Sequence, residues 1–128
     1  MKLNYLLLAV MALMSGCASL PAPTVSGEGR YLIMSAAGSP MAQIDAKDEA
    51  TCKAMGNSVV KRNPNMAGLA RCEIKPVDAQ LPYMAIARNT QMSVDITSRY
   101  RTEELCNKTL AIIATNGNTV IRNCTKAN

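Results

Sequence analysis

The side chains that could do chemistry in this chain of 128 residues are five cysteines, nine acidic residues and fourteen basic residues, with no histidine. Without histidine, the chain lacks the commonest general base, metal ligand and member of catalytic triads. The cysteines also stand far apart, whereas zinc sites bring paired ligands together two to four residues apart. The sequence therefore predicts no metal, no cofactor and no catalysis that depends on histidine.

Two pairs of adjacent carboxylates, at residues 48–49 and 103–104, remain as candidate acid and base partners. Neighbouring residues on a helix point about 100° apart and do not face one site. Both pairs open helical patterns, where the helix dipole favours negative charge. Ser58 and Lys61 match a Ser-x-x-Lys nucleophile motif, but the companion motifs of that enzyme class are missing. We therefore predict that the chain is not an enzyme.

The N-terminus has the anatomy of a secretory signal. A single basic residue, Lys2, precedes an apolar stretch at residues 6–14 that is too short to span a bilayer. Small residues follow, and the run from Leu13 to Cys17 reads Leu-Met-Ser-Gly-Cys. This run resembles the lipobox of bacterial lipoproteins, with Met14 where Leu is usual. We therefore expect this segment to direct export and not to belong to the folded domain.

The resemblance covers residues 1–18 and implies export, a cleaved signal peptide at residues 1–16 and a lipidated Cys17. In lipoproteins, a residue other than Asp after the cysteine implies sorting to the outer membrane, and here Ala18 follows. We expect the periplasm-facing leaflet rather than the cell surface. The alternative is a soluble periplasmic protein with a spare thiol. Residues 17–29, rich in small residues, Pro and Gly, predict a flexible tether.

Four cysteines remain once Cys17 is lipidated, and an even set in an exported chain is typical of a disulfide framework. They are Cys52, Cys72, Cys106 and Cys124. Four cysteines allow three pairings, and their spacing alone does not select one. A domain of about a hundred residues has a marginal core, so we expect disulfides to contribute to its stability.

The domain predicted at residues 30–128 repeats itself. Matching residues recur at a nearly constant offset: Tyr31, Cys52 and Cys72 as Tyr83, Cys106 and Cys124. Chance similarity is the alternative. If both halves, about 30–76 and 82–128, follow one design, Cys52 bonds Cys72 and Cys106 bonds Cys124. Each bond would then tie a helix start to the last strand of its own half, and each is worth about 3 kcal/mol in the chain-entropy model.

Hydrophobic periodicity predicts two strands, a helix and a strand in each half. In the first half, the strands are expected at residues 31–34, 41–46 and 66–74, with a helix opened by Asp48 and stopped at Asn63. In the second half, they are expected at residues 83–87, 92–96 and 119–124, with a helix at 102–115. The predicted fold class is α+β, with duplicated ββαβ units whose two helices cover one face of an antiparallel or mixed sheet.

The charge distribution bears on possible partners, because the formal net charge is +5. Five basic residues cluster in the sequence of the second half: Arg99, Arg101, Lys108, Arg122 and Lys126. They predict a basic face for anionic lipid headgroups or an acidic protein surface. With no Phe or Trp, the chain lacks the stacking aromatics of single-strand binders, so no nucleic acid is expected.

Two classes of function fit these observations. The first is a non-enzymatic outer-membrane lipoprotein whose small domain has a structural role or binds another envelope protein, through an exposed patch or a sheet edge. The alternative is a periplasmic inhibitor of a hydrolase such as a lysozyme or a protease, which would present an ordered loop. The candidate binding loops contain Gly38, Ser39 and Pro40 in one half, and Asn89 and Thr90 in the other.

Overall fold

The computed structural model describes residues 25–91 and 93–127, which form seven strands and two helices. The strands are β1 (Ser26–Gly27), β2 (Tyr31–Ala36), β3 (Ser39–Asp45), β4 (Ala70–Glu73), β5 (Tyr83–Asn89), β6 (Val94–Tyr100) and β7 (Thr119–Lys126). The helices are α1 (Glu49–Arg62) and α2 (Glu103–Thr115), and short 3-10 helices occupy Pro64–Met66 and Asp78–Gln80. The predicted signal peptide and Cys17 lie outside the described residues.

All seven strands belong to one sheet, in the order β1-β4-β2-β3-β6-β5-β7. Each half contributes three neighbouring strands, and the halves join where β3 pairs with β6. Every pair is antiparallel except β1 with β4, which makes the sheet mixed. The predicted α+β class with two ββαβ units is confirmed. At the joint Ile44 pairs with Ser98, and the same offset relates Cys52 to Cys106, so the halves are related by an approximate twofold axis.

Equivalent side-chain caps begin the two helices. The Thr51 N–H donates to Asp48 Oδ1 over 2.7 Å, and the Leu105 N–H donates to Thr102 Oγ1 over 3.1 Å. These bonds satisfy backbone donors that the first turn of a helix leaves without partners. The paired carboxylates of each half lie at this cap and first turn, where the helix dipole favours them. Their local role is therefore to begin helices.

Two clusters of buried side chains fill the space between the helices and the sheet. The cluster beneath α1 contains Val25, Leu32, Ala46, Cys52, Val60, Ala70 and Cys72. The cluster beneath α2 contains Ala42, Ala85, Tyr100, Cys106 and Leu110. Each helix thus covers the strands of its own half, and each cluster includes a cysteine pair or one member of it.

The disulfides follow the predicted pairing. Cys52 is bonded to Cys72 and Cys106 to Cys124, with Cα atoms 6.1 Å and 6.0 Å apart. Each bond joins the first turns of a helix to the last strand of the same half. None of these four sulfurs is a free thiol, so they do not form the zinc site that sets of cysteines can provide.

The predicted tether is wrong for residues 25–29, which belong to the folded unit. Val25 is only 4% exposed, and β1 pairs in parallel with β4 through Ser26 and Gly27. The Val25 N–H also donates to Asn57 Oδ1 on α1 over 2.8 Å. A two-residue strand is too short to show a hydrophobic period, which is why the composition of this segment was misleading.

Two predicted strands have different bounds in the structure. The strand expected at 66–74 begins only at Ala70, because the chain first closes a 3-10 turn at Pro64–Met66. The strand expected at 92–96 is β6, which starts at Val94 and continues to Tyr100. This longer strand forms the joint between the two halves.

Candidate functional site

At the β3–β6 joint, strand pairing continues on one side of the approximate twofold axis and stops on the other. Its paired residues are Ala42 with Tyr100, Gln43 with Arg99, and Ile44 with Ser98. The Arg101 N–H extends the ladder by donating to the Met41 carbonyl over 2.9 Å. Among the described pairs, the ladder does not continue beyond Ile44 and Ser98 in the other direction. Residues 94–96 of β6 therefore lie beyond the end of β3 and pair with β5 alone.

The unpaired edge of β6 carries backbone hydrogen-bonding groups. In an antiparallel strand, successive residues direct their N–H and C=O groups to opposite neighbours. Since the Arg101 N–H faces β3, the backbone groups of Thr97 and Asp95 face the same side. β3 ends at Asp45, which lies opposite Thr97, so no described strand lies beside the backbone groups of Asp95. The open edge covers residues 94–96 and is about 10 Å long at 3.3 Å per residue.

Helix α1 lies across from this edge. The chain leaves β3 after Asp45, and the Ala46 N–H turns back to the Arg30 carbonyl over 2.9 Å before α1 begins. A cavity of about 740 Å³ separates α1 from β6. We call it the α1–β6 groove; its helical wall is Ala50, Thr51, Ala54, Met55 and Ser58, and its strand wall is residues 94–97. Small side chains on the helix leave the groove wide.

The lining of the groove is largely apolar. Val94 is 40% exposed, and Ile96 and Met55 are half-buried. Ala50 and Ala54 are exposed on the facing side of α1. Exposed apolar groups that line a concave surface are typical of binding sites rather than of ordinary solvent-facing surface.

Positive charge is in excess at one rim of the groove. Arg30 and Lys47 line it, and the Arg30 guanidinium lies 4.3 Å from the centre of the Tyr31 ring. Asp95 also lines the groove, but its carboxylate is engaged by the Arg88 guanidinium at 2.7 Å. That hydrogen bond lowers the pKa of Asp95, so the carboxylate is ionised and already paired at neutral pH.

The candidate loops lie at opposite ends of the sheet, because β3 and β6 are antiparallel and each loop precedes one of them. The tip of the β2–β3 hairpin is a two-residue turn with φ of 52° at Ala37 and 79° at Gly38, the pattern of a type I′ turn. Ser39 pairs with Ala36 at its base. Gly38, Ser39 and Pro40 therefore do not share a site with Asn89 and Thr90.

The individual loop residues differ in what they contact. The Pro40 carbonyl accepts a hydrogen bond from Arg101 Nε at 2.7 Å, which fastens the first hairpin to the second half. The Thr90 hydroxyl donates to the Gly117 carbonyl over 2.8 Å. Asn89 lines the α1–β6 groove. Of the candidate loop residues, Asn89 is the one at the groove.

Gly38 and Pro40 also line a wide surface depression of about 1060 Å³. It lies mostly over residues 33–40 and 71–77. Its charged side chains include Arg71 and Glu73, which pair with each other at 3.0 Å. The strand edge in its lining belongs to β1, which is only two residues long, so we prefer the α1–β6 groove as the candidate site.

Gln43 is a buried polar residue whose role the sequence did not reveal. It is fully buried, and its Nε2 donates to Asp45 Oδ1 at 3.0 Å and to Asp78 Oδ1 at 2.9 Å. Its Oε1 accepts the Val77 N–H at 2.7 Å. Gln43 thus attaches Val77 and Asp78, which lie in the segment between the two halves, to the centre of the sheet. A lone amide within an alternating apolar strand was the available signal.

The predicted basic face is divided among local partners. Arg99 lies 3.3 Å from Asp78, and Lys108 lies 3.5 Å from Glu104 on α2. Arg101 is held by a carbonyl of β3, as described above. These three side chains project from different elements and are each engaged, so they do not form a single anion-binding surface.

Within residues 25–91 and 93–127, no cluster of three or more His, Cys, Asp or Glu side chains could hold a metal ion. Neither helix of this part of the chain has the length and hydropathy needed to cross a bilayer. The chain matches no protein-family model, no curated protein and no solved structure. The sequence and the geometry of the groove are therefore the observations from which function is inferred.

Proposed function

We propose that the chain is a non-enzymatic lipoprotein of a bacterial outer membrane, whose domain binds another protein of the envelope. The lipobox-like run ending at Cys17 supports anchoring in the periplasm-facing leaflet. Two disulfides suit an oxidising compartment. The single observation that carries the binding role is the α1–β6 groove, where an open strand edge faces an apolar helix wall.

The chemistry of the groove favours a protein over a small molecule. Small-molecule sites combine an apolar pocket with a few convergent polar side chains. Here the carboxylate of Asp95 is paired with Arg88, and that of Asp45 accepts a hydrogen bond from Gln43 at 3.0 Å. What remains available is the open backbone edge of β6, short apolar side chains and the basic rim. That combination suits main-chain recognition of a polypeptide.

A second function, inhibition of a hydrolase, is favoured by one observation. The β2–β3 hairpin ends in the tight turn at Ala37 and Gly38, both exposed, and a Cβ added to Gly38 would meet no atom within 4 Å. A projecting turn held by two paired strands is pre-organised to enter a cleft at little entropic cost. Assays of lysozyme and serine-protease inhibition test this function directly. A Gly38→Val variant, strained at this φ, should then lose inhibition. Ser93→Ala, a change at an exposed residue of the β5–β6 loop, is the control and should retain it.

The membrane anchor is tested by fractionation of cells that express the full chain. We expect the wild-type protein in the outer-membrane fraction, labelled by radioactive palmitate. Cys17→Ser should lose the label and the membrane association. Unlabelled wild-type protein in the soluble periplasmic fraction would overturn the lipoprotein proposal.

The binding role is tested by crosslinking in cells, using the lipidated full chain with a photoreactive amino acid in place of Ala54. We expect one dominant product with an envelope protein. The matched control places the same group at Ala111, which is exposed on α2 and does not line the groove. Products with lipid or peptidoglycan alone, from both positions, would contradict protein binding.

A further inference from the structure

We infer that the partner occupies the α1–β6 groove with an extended segment that adds to β6 as a strand, with apolar side chains at alternate positions and an acidic residue beside Arg30 and Lys47. This inference rests on the proposed function and specifies how the groove recognises its partner. It follows from three features of the groove: its backbone groups, its walls and its charge.

The backbone of β6 calls for an extended occupant. Asp95 directs its N–H and C=O groups toward the groove without a neighbouring described strand, because β3 ends opposite Thr97. An α-helix satisfies its own backbone groups and could not pair with them, whereas an extended segment presents free groups at the matching spacing. The added strand would continue the ladder that stops at Ile44 and Ser98.

The walls of the groove select the side chains of that strand. Successive side chains of a strand point to opposite faces, so every second one would lie between α1 and β6. There it would contact Ala50, Ala54 and Met55 on one side and Ile96 on the other. Because the two alanines leave space, aliphatic side chains of medium size fit between these walls. The intervening side chains face away from α1 and can be polar.

The charge of the rim selects an acidic residue. Arg30 is fixed over Tyr31 by a cation–π contact and by a hydrogen bond to the Tyr31 hydroxyl at 2.7 Å. Lys47 is exposed beside it. Asp95 on β6 is paired with Arg88, and the Asp45 carboxylate offsets only one of the two basic charges. A carboxylate on the occupant would therefore meet a rim that remains positively charged.

Two other occupants are disfavoured by the chain itself. The segment before Val25 includes Pro21 and Pro23, which have no N–H to donate to a strand ladder. Val25 also reaches α1 at Gly56 and Asn57, and neither residue lines the groove. A second copy would offer its edge strand β7, whose Arg122 and Lys126 would bring like charge to the positive rim.

The test is selection of linear twelve-residue peptides from a random display library on the full chain, purified from membranes in detergent. We expect enriched peptides that alternate apolar and polar residues and carry an acidic residue near one end. Their affinity should fall at least about tenfold for Ala54→Trp, a loss of about 1.4 kcal/mol, because the indole fills the groove. Ala111→Trp, a matched change at the exposed face of α2, should leave it unchanged.

Two further measurements separate strand addition from other binding in the groove. An enriched peptide resynthesised with alternate N-methyl amides, on the set that faces β6, should lose binding because it cannot donate to the strand. Lys47→Glu should weaken the binding of the acidic peptides. It should have less effect on peptides in which the acidic residue is replaced by the corresponding amide. Amide resonances of Asp95 and Thr97 should shift on binding.

Strand addition and binding of an envelope protein are overturned by different results. No enriched peptide, or peptides that bind Ala54→Trp as well as the wild type, would overturn strand addition. If the in-cell crosslinking still captured an envelope protein, the binding function would stand and use another surface. A concentration-dependent dimer with shifts at Asp95 and Thr97 would identify a second copy as the occupant and overturn the inference.

Discussion

The two halves of the domain share an order of elements, a capping arrangement and a disulfide, but they differ in what fills the space beneath each helix. One turn after its buried cysteine, α1 has Gly56 and α2 has Leu110. Leu110 fills the space under α2 with its own side chain, whereas the space under α1 receives Val25, which precedes β1 and packs toward Gly56. In the first half, the space beneath the helix is therefore filled by a residue outside the helix, whereas in the second half it is filled by a residue of the helix itself.

The second difference lies at the residue two positions before each N-cap. In the second half this residue is Tyr100, which is 1% exposed and pairs with Ala42 across the joint. In the first half it is Ala46, beyond which the joint opens. The large side chain of Tyr100 lies where β3 and β6 pair, and the small side chain of Ala46 lies beyond the point where their pairing stops. The groove therefore exists because the duplication is not symmetric.

Removal of the disulfides should show the largest effect and should separate the two halves. Deleting either bond by a double Cys→Ala change costs about 3 kcal/mol through the entropy of the unfolded chain. We expect the first half to lose more, because Cys52 and Cys72 are both fully buried whereas Cys124 is half-buried, so truncation also leaves a cavity. Urea unfolding of the two double variants measures this. Equal losses would show that burial of the sulfurs adds nothing.

A methyl group at Gly56 should have the next largest effect. Its Cβ would lie 2.6 Å from Val25 Cγ2 and 3.1 Å from Leu32 Cδ1. Overpacking of this kind costs about 1–3 kcal/mol, against a gain of up to about 1 kcal/mol in helix propensity. Gly56→Ala should therefore lower the unfolding midpoint. Ser58→Ala, exposed on the same helix, is the control and should not. A higher midpoint for Gly56→Ala would mean that the Val25 side chain moves aside at little energetic cost.

The hydroxyl of Tyr100 offers a smaller test that is specific to the second half. It is buried and has no hydrogen-bond partner among the described residues. Tyr100→Phe should accordingly leave stability unchanged or raise it by about 1 kcal/mol. Thermal unfolding at pH 7 measures the difference, and a loss above about 1 kcal/mol would indicate that the hydroxyl has a partner after all.

The same residue predicts a pH dependence. Burial raises the pKa of Tyr100 above its ordinary value. The folded protein therefore holds this proton more tightly than the unfolded chain does. Its contribution to stability is present below the ordinary tyrosine pKa of about 10 and is lost as the pH rises through the higher folded value. Above pH 10 or so the wild type should lose more stability than Tyr100→Phe does.

The smallest difference expected is between the two helix caps. The Thr51 backbone N–H, followed by its side chain, lowers the pKa of Asp48 by hydrogen bonding to the carboxylate. Stabilisation by Asp48 is thus present above the ordinary carboxyl pKa and is lost as the pH falls through the lower folded value. Asp48→Ala should approach the wild type in acid. Thr102→Ala should cost about 1 kcal/mol at any pH, because its hydroxyl does not titrate. Parallel pH profiles for both variants would contradict this account.

Local patterns were sufficient for the ββαβ order and for the disulfides, because Cys52, Cys72, Cys106 and Cys124 mark equivalent places in a repeated design. They were insufficient for the groove, which depends on the register between β3 and β6 and on where that ladder stops. Ala46, Ala50 and Ala54 stand four residues apart in the sequence, but this spacing is ordinary for a helix surface. The burial of Val25 depends on a partner, Gly56, that is distant along the chain.

The small strand β1 acquires mechanical significance if the chain is anchored through Cys17 as proposed. Tension from the membrane would then enter the fold at Val25, which is held by the Asn57 side chain and by a two-residue ladder to β4. These bonds would break first, and the departure of Val25 would expose the space beside Gly56. The Cys52–Cys72 bond would stop the unravelling there, so that a pulled molecule keeps its sheet while it exposes apolar surface near the membrane.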